Sequence, residues 1–192
     1  ADVHRLGGGF GLHDDAVLEA DARWSAWLRL PAGAKIRRYL WSFLAHSGDS
    51  WFWLAAMLII WLTTKGEWHA RAPMYAGGIL VLAVFVMVIK FRVRRARPAG
   101  NWGMLYRSTD PHSFPSGHAA RVALLAVMAW GLGPLWLAVL LTGWAPLVII
   151  SRVRMGVHYL LDVAVGAIVG VAAGQISLLL EPLFRAWVPF MF

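Results

Sequence analysis

Apolar residues are concentrated in five long runs of the chain, and turn residues or clustered charges separate each run from the next. A helix needs about 20 apolar residues to cross the hydrocarbon core of a bilayer, and several runs approach that length. The predicted spans are residues 50–64, 73–90, 117–131, 135–151 and 158–180. This pattern predicts an all-α, polytopic membrane helix bundle.

An amphipathic pattern precedes the first span. Within residues 34–46, Ile36 and Tyr39 fall on one face of a helix, whereas Lys35 and Arg38 fall on the other. Such a helix lies in the plane of the membrane interface rather than across the bilayer. We therefore predict an N-terminal interfacial amphipathic helix.

The chain length fits one domain. Residues 1–15 are Gly-rich and polar and are predicted to be a flexible lead. Residues 16–192 are predicted to form a single membrane-embedded domain, in which residues 16–46 supply interfacial helices.

Local signals refine these elements. Asp49 follows a Ser-Gly turn and is predicted to cap the next helix, and Pro73 is placed in the first turn of the second span. Gly166, Gly170 and Gly174 recur at four-residue spacing, a pattern that lets two membrane helices approach closely.

Composition and charge agree with a membrane protein. The chain is 59% hydrophobic, with a mean hydropathy of +0.60. The formal net charge is +8, which suits anionic lipid or phosphate. The basic residues stand at the ends of spans rather than on a soluble face, so nucleic acid is not an expected partner. The chain has no Cys, which excludes thiolate catalysis and disulfides.

The span count predicts which polar segments share a side of the membrane. An odd–even count places the N-terminus, the 90–117 segment and the 152–157 connection together. The 65–72 loop, the turn at Gly133 and the C-terminus lie on the other side. Three polar clusters are therefore expected to meet at one membrane face.

The first cluster is basic. Lys90 and Arg97-Pro98 are seven residues apart, close to two helical turns, so the two cations share a face if the helix continues. The simpler interpretation is a positively charged flank of a span. We adopt that interpretation for Arg92 and Arg95.

The second cluster is Pro115-Ser116-Gly117-His118. Ser116 is a good N-cap, and Gly117 allows close approach to its backbone. His118 falls in the first helical turn, where free N–H groups attract an anion. An ordinary helix start with an incidental His is the alternative.

The third cluster is Ser151-Arg152, followed by His158 and Asp162. The i, i+4 spacing puts His158 and Asp162 on one helix face. A carboxylate inside an apolar helix is costly and is by default functional or paired. It could orient the imidazole for catalysis, or it could form a purely structural His–Asp pair.

Together the clusters resemble the type-2 phosphatidic acid phosphatase superfamily of membrane lipid phosphatases, whose signatures are K-x6-R-P, P-S-G-H and S-R-x5-H-x3-D. Every signature position matches, in the family's order. The resemblance covers roughly residues 47–180. Many members have six spans, whereas five are predicted here.

The resemblance implies a metal-free phosphatase that works through a phosphohistidine. In that scheme His158 is the nucleophile, Asp162 orients it, and His118 protonates the leaving oxygen and then helps to activate water. The phosphate-binding groups implied are Lys90, Arg97, Ser116, Gly117 and Arg152. No cofactor is expected, and no carboxylate cluster suited to Mg²⁺ is visible in the sequence.

Other functions have discriminating features. The soluble vanadium haloperoxidases share the constellation, but the apolar spans argue against that subclass. A channel or transporter should show paired half-helices near the midplane, whereas these polar residues stand at span ends. A non-catalytic lipid-phosphate binding protein using the same basic pocket is the remaining alternative.

The expected partners are membrane lipids and a phosphorylated lipid substrate. Candidates are phosphatidic acid, phosphatidylglycerol phosphate, polyprenyl mono- or diphosphate, and a phosphorylated glycolipid. The chain is predicted to be an integral protein of a bacterial or archaeal cell membrane. The charge distribution favours a cytoplasmic site, whereas many bacterial members of the family face the periplasm.

Overall fold

A computed structural model describes residues 12–31, 33, 35–99 and 110–192. Its helices are α1 (Leu12–Leu28), α2 (Lys35–Ser47), α3 (Ser50–Thr63), α4 (Glu67–Val93), α5 (Gly117–Leu132), α6 (Leu135–Arg154), α7 (Leu160–Leu179) and α8 (Glu181–Trp187), followed by a 3-10 turn at Pro189–Met191. Within these described ranges there is no β-strand beyond an isolated antiparallel bridge between Ala96 and His112. The all-α prediction is confirmed.

Helix α5 forms the centre of the bundle. Most of its side chains are buried, and α4, α6 and α7 pack around it. The outward faces of those three helices expose large apolar side chains such as Val81, Leu140 and Ile168. An apolar exterior around a packed centre is the arrangement that a lipid environment requires.

Three helices are long and apolar enough to cross a membrane: α4 with 27 residues, and α6 and α7 with 20 each. Helices α2 and α3 meet at 53° and qualify only together, as one bent span. Helix α3 has 14 residues and α5 has 16. Over the described residues the structure therefore supports three spans, or four with the bent pair, and the predicted count of five is not established.

Several predicted boundaries differ from the structure. Helix α4 begins at Glu67, six residues before the predicted span, so Pro73 lies inside the helix rather than in its first turn. Hydropathy marks the apolar part of a helix, and the polar turns at Glu67–Arg71 are helical without being apolar. Similarly, α1 begins at Leu12, inside the segment predicted to be a flexible lead; residues 1–11 lie outside the described residues.

The three glycines of α7 lie at a close helix contact, as their spacing predicts. A Cβ at Gly166 would lie 2.5 Å from the Ser116 carbonyl oxygen, and one at Gly174 would lie 2.8 Å from Val127 Cβ. A Cβ at Gly170 would overlap the Ala120 backbone. The three glycines therefore allow α7 to lie directly against α5, which brings the second and third signature clusters together.

Candidate active site

The three signature clusters meet at one end of the bundle. Helix α4 ends there, α5 and α7 begin there, and α6 ends there. Buried polar side chains are concentrated at this end, and they include Lys90, Arg152, His158 and Asp162. Residues that are far apart in the chain thus form one polar site at the edge of an apolar bundle.

The start of α5 is tied directly to α7. Ser116 occupies the N-cap position, and its hydroxyl accepts a long hydrogen bond of 3.4 Å from the Ala119 amide. The Ser116 amide donates to the carbonyl oxygen of Asp162 at 2.9 Å. His118 follows in the first turn of α5. The second and third clusters are therefore joined through the backbone.

His158 is placed by a tight turn after α6. The amides of Val157 and His158 both donate to the Arg152 carbonyl, at 3.0 and 3.3 Å. Gly156 has a φ of +68°, a left-handed conformation that favours glycine. This turn returns the chain toward the end of α6, and it explains the five-residue spacing between Arg152 and His158.

Asp162 lies beside His158, in the first turn of α7. Its Oδ2 is 3.5 Å from His158 Nδ1, just beyond hydrogen-bonding distance, and accepts from the Tyr159 amide at 2.9 Å. Its Oδ1 accepts from Arg95 Nη1 at 2.7 Å. The carboxylate is completely buried, with its charge compensated by Arg95.

The other imidazole nitrogen of His158 faces a cation. Arg97 Nη1 lies 3.3 Å from His158 Nε2 and donates to the Val157 carbonyl at 2.9 Å. Burial lowers the pKa of His158 well below its ordinary value, and the positive charges of Arg97 and Arg152 lower it further. The imidazole is therefore neutral at neutral pH and can act as a nucleophile.

Lys90 and Arg97 converge, but not on one helix face. Helix α4 ends at Val93, and Arg94 caps it in a left-handed conformation. The helix therefore does not continue to Arg97, as a shared helix face would require. Instead, Lys90 Nζ and Arg97 Nη2 each lie 2.7 Å from a carboxylate oxygen of Asp110. Sequence analysis did not assign a role to Asp110.

Arg95 is not a simple charged flank, and that interpretation was wrong. Its guanidinium bridges Asp162 and Asp21, each at 2.7 Å, and stacks over the Tyr159 ring at 4.2 Å. Only about a tenth of its side chain is exposed. No spacing rule could have identified this role, because Asp21 is 74 residues away in the chain.

Helix α1 supports the same region. Asp21 accepts from the Leu161 amide at 3.0 Å, and Ser25 accepts from the Leu160 amide at 2.9 Å. These two amides are otherwise free donors at the start of α7. Two side chains of α1 thus cap α7, and Asp21 also pairs with Arg95.

Asp49 was predicted to cap α3, but its side chain makes no capping hydrogen bond. Its Oδ1 instead lies 2.6 Å from His118 Nε2. Arg152, whose Nη1 donates to the Ala45 carbonyl at 3.4 Å, also ties the site to the end of α2. The junction between α2 and α3 is therefore part of the site region.

Two further sequence predictions concern metal binding and the loop before α5. Among the described residues, no three His, Cys, Asp or Glu side chains come together as a possible metal site. The sequence also suggests the 99–114 loop, with Trp102, Tyr106, Arg107 and His112, as a determinant of the substrate. Trp102, Tyr106 and Arg107 lie outside the described residues, whereas His112 lies within them.

The chain is similar in sequence to known phosphatases. The chain is 34% identical over 132 residues to the probable lipid phosphate phosphatase beta of Arabidopsis thaliana, a match covering 53% of this chain and 61% of that protein. It is 35% identical over 138 residues to the decaprenylphosphoryl-5-phosphoribose phosphatase of Mycobacterium tuberculosis, covering 69% of this chain and 74% of the relative.

The fold resembles a solved membrane protein. The crystal structure of the transmembrane PAP2 type phosphatidylglycerolphosphate phosphatase from Bacillus subtilis superimposes with a TM-score of 0.70, at 25% identity, over 86% of each chain. Membrane-spanning helices and this similarity identify an integral membrane protein. The model of the PAP2 superfamily matches residues 72–185, which contain all three signature clusters. The chain belongs to the PAP2 superfamily.

Proposed function

We propose that this protein is a membrane lipid phosphatase that hydrolyses a lipid phosphate monoester or diphosphate through a phosphohistidine on His158. The observation that carries the proposal is the site around His158. A buried neutral imidazole has Asp162 beside one nitrogen and the Arg97 guanidinium beside the other. Phosphoryl transfer depends mainly on such positioning and charge stabilisation.

The proposed reaction has two steps. In the first, His158 Nε2 bonds to phosphorus as the bond from phosphorus to the leaving oxygen breaks, and His118 gives that oxygen a proton. In the second, the oxygen of a water molecule bonds to phosphorus as the bond from phosphorus to His158 Nε2 breaks. The water gives a proton to His118, and inorganic phosphate leaves. Asp162 stabilises the positive charge that His158 carries between the steps.

The developing negative charge needs fixed donors. We assign that role to the Lys90, Arg97 and Arg152 side chains, together with Ser116 and the Gly117 amide. Lys90 and Arg97 already converge on the Asp110 carboxylate, so two cations are directed at one point before substrate binds. Preorganised donors of this kind stabilise a transition state without reorganisation.

An apolar groove suits the hydrocarbon part of the substrate. It encloses about 520 Å³ between α4 and α7 and is lined by side chains such as Leu82, Phe85, Ile168 and Phe184. Leu82, Val86 and Lys90 are all buried and recur every four residues, so they follow one face of α4 from the groove to the site. An acyl or prenyl chain in this groove would place its headgroup among the cations.

Phosphate release from lipids in detergent tests the proposal. The panel is phosphatidic acid, phosphatidylglycerol phosphate, undecaprenyl phosphate, undecaprenyl diphosphate and a phosphorylated glycolipid. The wild type should release phosphate from at least one of them in excess EDTA, and vanadate should inhibit it because vanadate resembles the five-coordinate transition state.

His158→Ala is the control variant. It should retain its helical circular dichroism spectrum but lose turnover by at least about 10³-fold, together with any acid-labile phosphate trapped on the enzyme. Failure of the wild type on every substrate would contradict the function. Near wild-type turnover by His158→Ala would contradict the nucleophile, and complete loss in EDTA with recovery in Mg²⁺ would contradict metal independence.

A further inference from the structure

The turn at Ser47–Asp49, between α2 and α3, brings a carboxylate to His118. Asp49 stands at the N-cap position of α3 but makes no side-chain capping hydrogen bond. Its Oδ1 lies 2.6 Å from His118 Nε2. Its Oδ2 contacts His46 Nδ1 at 3.2 Å and Trp51 Nε1 at 3.3 Å. Neither oxygen therefore accepts a capping hydrogen bond from the free backbone amides at the start of α3.

Other helices hold this turn in place. The indole N–H groups of Trp53 and Trp144 donate to the backbone carbonyl and the hydroxyl of Ser47, both at 2.9 Å. Arg121 donates to the Gly48 carbonyl. Side chains of α3, α5 and α6 thus fix the turn, and with it the position of the Asp49 carboxylate.

Gly48 allows the turn to come this close. A Cβ at this position would lie 3.0 Å from Val148 Cγ1, 3.3 Å from Val122 Cγ1 and 3.4 Å from His118 Cδ2. The backbone of the turn therefore packs directly against α5, α6 and the edge of the His118 ring. The Asp49–His118 contact belongs to a close-packed part of the bundle rather than to a chance surface pairing.

From this geometry we propose that Asp49 is a positioning residue for His118 in the reaction proposed above. A carboxylate bound to Nε2 keeps the proton on that nitrogen and leaves Nδ1 to exchange a proton with the leaving oxygen and with water. It also stabilises the imidazolium form that donates a proton. Each of the two histidines then has its own carboxylate: Asp162 beside the nucleophile and Asp49 beside the acid–base group.

The test separates this role from a merely structural one by varying the leaving group. The value of kcat/KM reports only the steps up to departure of the leaving group, so the hydrolysis of phosphohistidine does not enter it. We compare phosphatidic acid, whose alkoxide needs a proton, with a nitrophenyl phosphate bearing an acyl chain, whose leaving group needs little help.

Asp49→Asn should lower kcat/KM for phosphatidic acid by about 10- to 100-fold, less than the roughly 10²- to 10⁴-fold that a general acid itself contributes, because His118 is still present. The value for the nitrophenyl ester should fall by less than about threefold. In a His118→Ala background the same substitution should have almost no further effect, because the residue that it positions is gone. Glu67→Gln, which removes an exposed carboxylate at the opposite end of α4, is the matched control and should leave both values unchanged.

Equal losses on the two substrates, or a full additional loss in the His118→Ala background, would show a structural role only and overturn the proposal. Should Asp49→Asn fail to fold, Asp49→Glu keeps the charge at a different reach. Asp49→Glu should also lose more kcat/KM on phosphatidic acid than on the nitrophenyl ester, but both losses should be smaller than in Asp49→Asn.

A measurement without turnover separates failure of this proposal from failure of the proposed function. In protein labelled with 15N-histidine, His118 is assigned by its loss in His118→Ala, and its Nε2 should be protonated and should shift in Asp49→Asn. An unprotonated Nε2, or a resonance indifferent to Asp49, would overturn the pairing even if the enzyme is active. An inactive wild type with the predicted resonances would overturn the function alone.

Discussion

At the scale of single residues, His158 combines burial with three kinds of neighbour. A carboxylate lies beside Nδ1, a guanidinium lies beside Nε2, and the Arg152 carbonyl holds the backbone amide. The cations nearby make protonation of the ring unfavourable, and they are also the groups proposed to bind phosphate. In the proposed mechanism, the same charges would therefore help burial to keep His158 neutral and would also attract the substrate.

The pH profile of the enzyme should show the lowered pKa of His158. The neutral imidazole is the reactive form, so activity falls as the pH drops through the pKa of His158. Because that pKa is lowered, the acid limb of kcat/KM should lie below pH 6.5. Arg97→Met removes one cause of the shift and should move the limb to higher pH, besides weakening activity.

Substrate ionisation is the same for both enzymes, so the difference between their profiles belongs to the protein. Arg92→Met, which removes an exposed cation near the end of α4, serves as the control and should leave the limb in place. An acid limb that does not move in Arg97→Met would contradict this account of His158.

Residue spacing predicted only part of this neighbourhood. His158 and Asp162 are four residues apart, and Ser116 and His118 share one turn, so local periodicity was enough to group them. Asp49 pairs with His118 across 69 residues, and Arg95 with Asp162 across 67. Such contacts depend on how helices pack, and nothing in the local pattern of the sequence encodes them.

At the scale of elements, the contact between α5 and α7 determines the site. Gly166 lies against the Ser116 carbonyl, two residues before His118 in the first turn of α5. Gly170 and Gly174 continue the contact along Ala120 and Val127. The same three glycines that were predicted to form a helix contact therefore set the distance between the second and third signature clusters.

Gly170→Ala tests this contact. The added methyl group would overlap the Ala120 backbone, and overpacking of this kind costs about 1–3 kcal/mol. The thermal midpoint in detergent should fall by several degrees, and phosphatase activity should fall with it.

Gly143→Ala in α6 is the matched control, because a Cβ there would meet nothing within 4 Å. Its midpoint should be unchanged or slightly higher, since Ala favours a helix over Gly by about 1 kcal/mol. Equal thermal midpoints for the two variants would show that the glycines of α7 do not control its packing against α5.

Helix lengths were harder to predict than helix contacts. Polar residues at the start of α4 are helical, whereas hydropathy placed the start of the predicted span at Pro73. The bend of 53° between α2 and α3 depends on tertiary packing around Asp49 and Gly48. For these reasons the existence of each apolar helix was predictable, whereas its ends and the number of complete spans were not.

At the scale of the whole molecule, α4 carries charge at both ends. Its 27 residues extend about 40 Å, enough to separate Glu67 from Lys90 by the full hydrocarbon thickness. The site end of the bundle is therefore on one side of the membrane and the start of α4 on the other. Two oppositely placed labels are enough to determine the orientation.

The distribution of basic residues predicts that orientation. Of the 18 Lys and Arg residues, three are assigned to the side away from the site: Lys65, Arg71 and Arg185. Lys90, Arg97 and Arg152 serve the proposed phosphate site and say little about insertion, but without them the balance is still 12 to three. Basic residues are retained on the cytoplasmic side, so the site is predicted to face the cytoplasm.

Single cysteines test this orientation cleanly, because the chain has none of its own. Ala99→Cys marks the site side and Glu67→Cys the opposite side, and both positions are exposed and leave the Lys and Arg count unchanged. In intact cells a membrane-impermeant maleimide should label position 67 and not position 99, and permeabilised cells should label at both. Labelling at 99 alone in intact cells would place the site outside the cytoplasm. The reaction would then require a lipid phosphate exposed on the outer leaflet, because a headgroup on the inner leaflet could not reach Lys90 and Arg97.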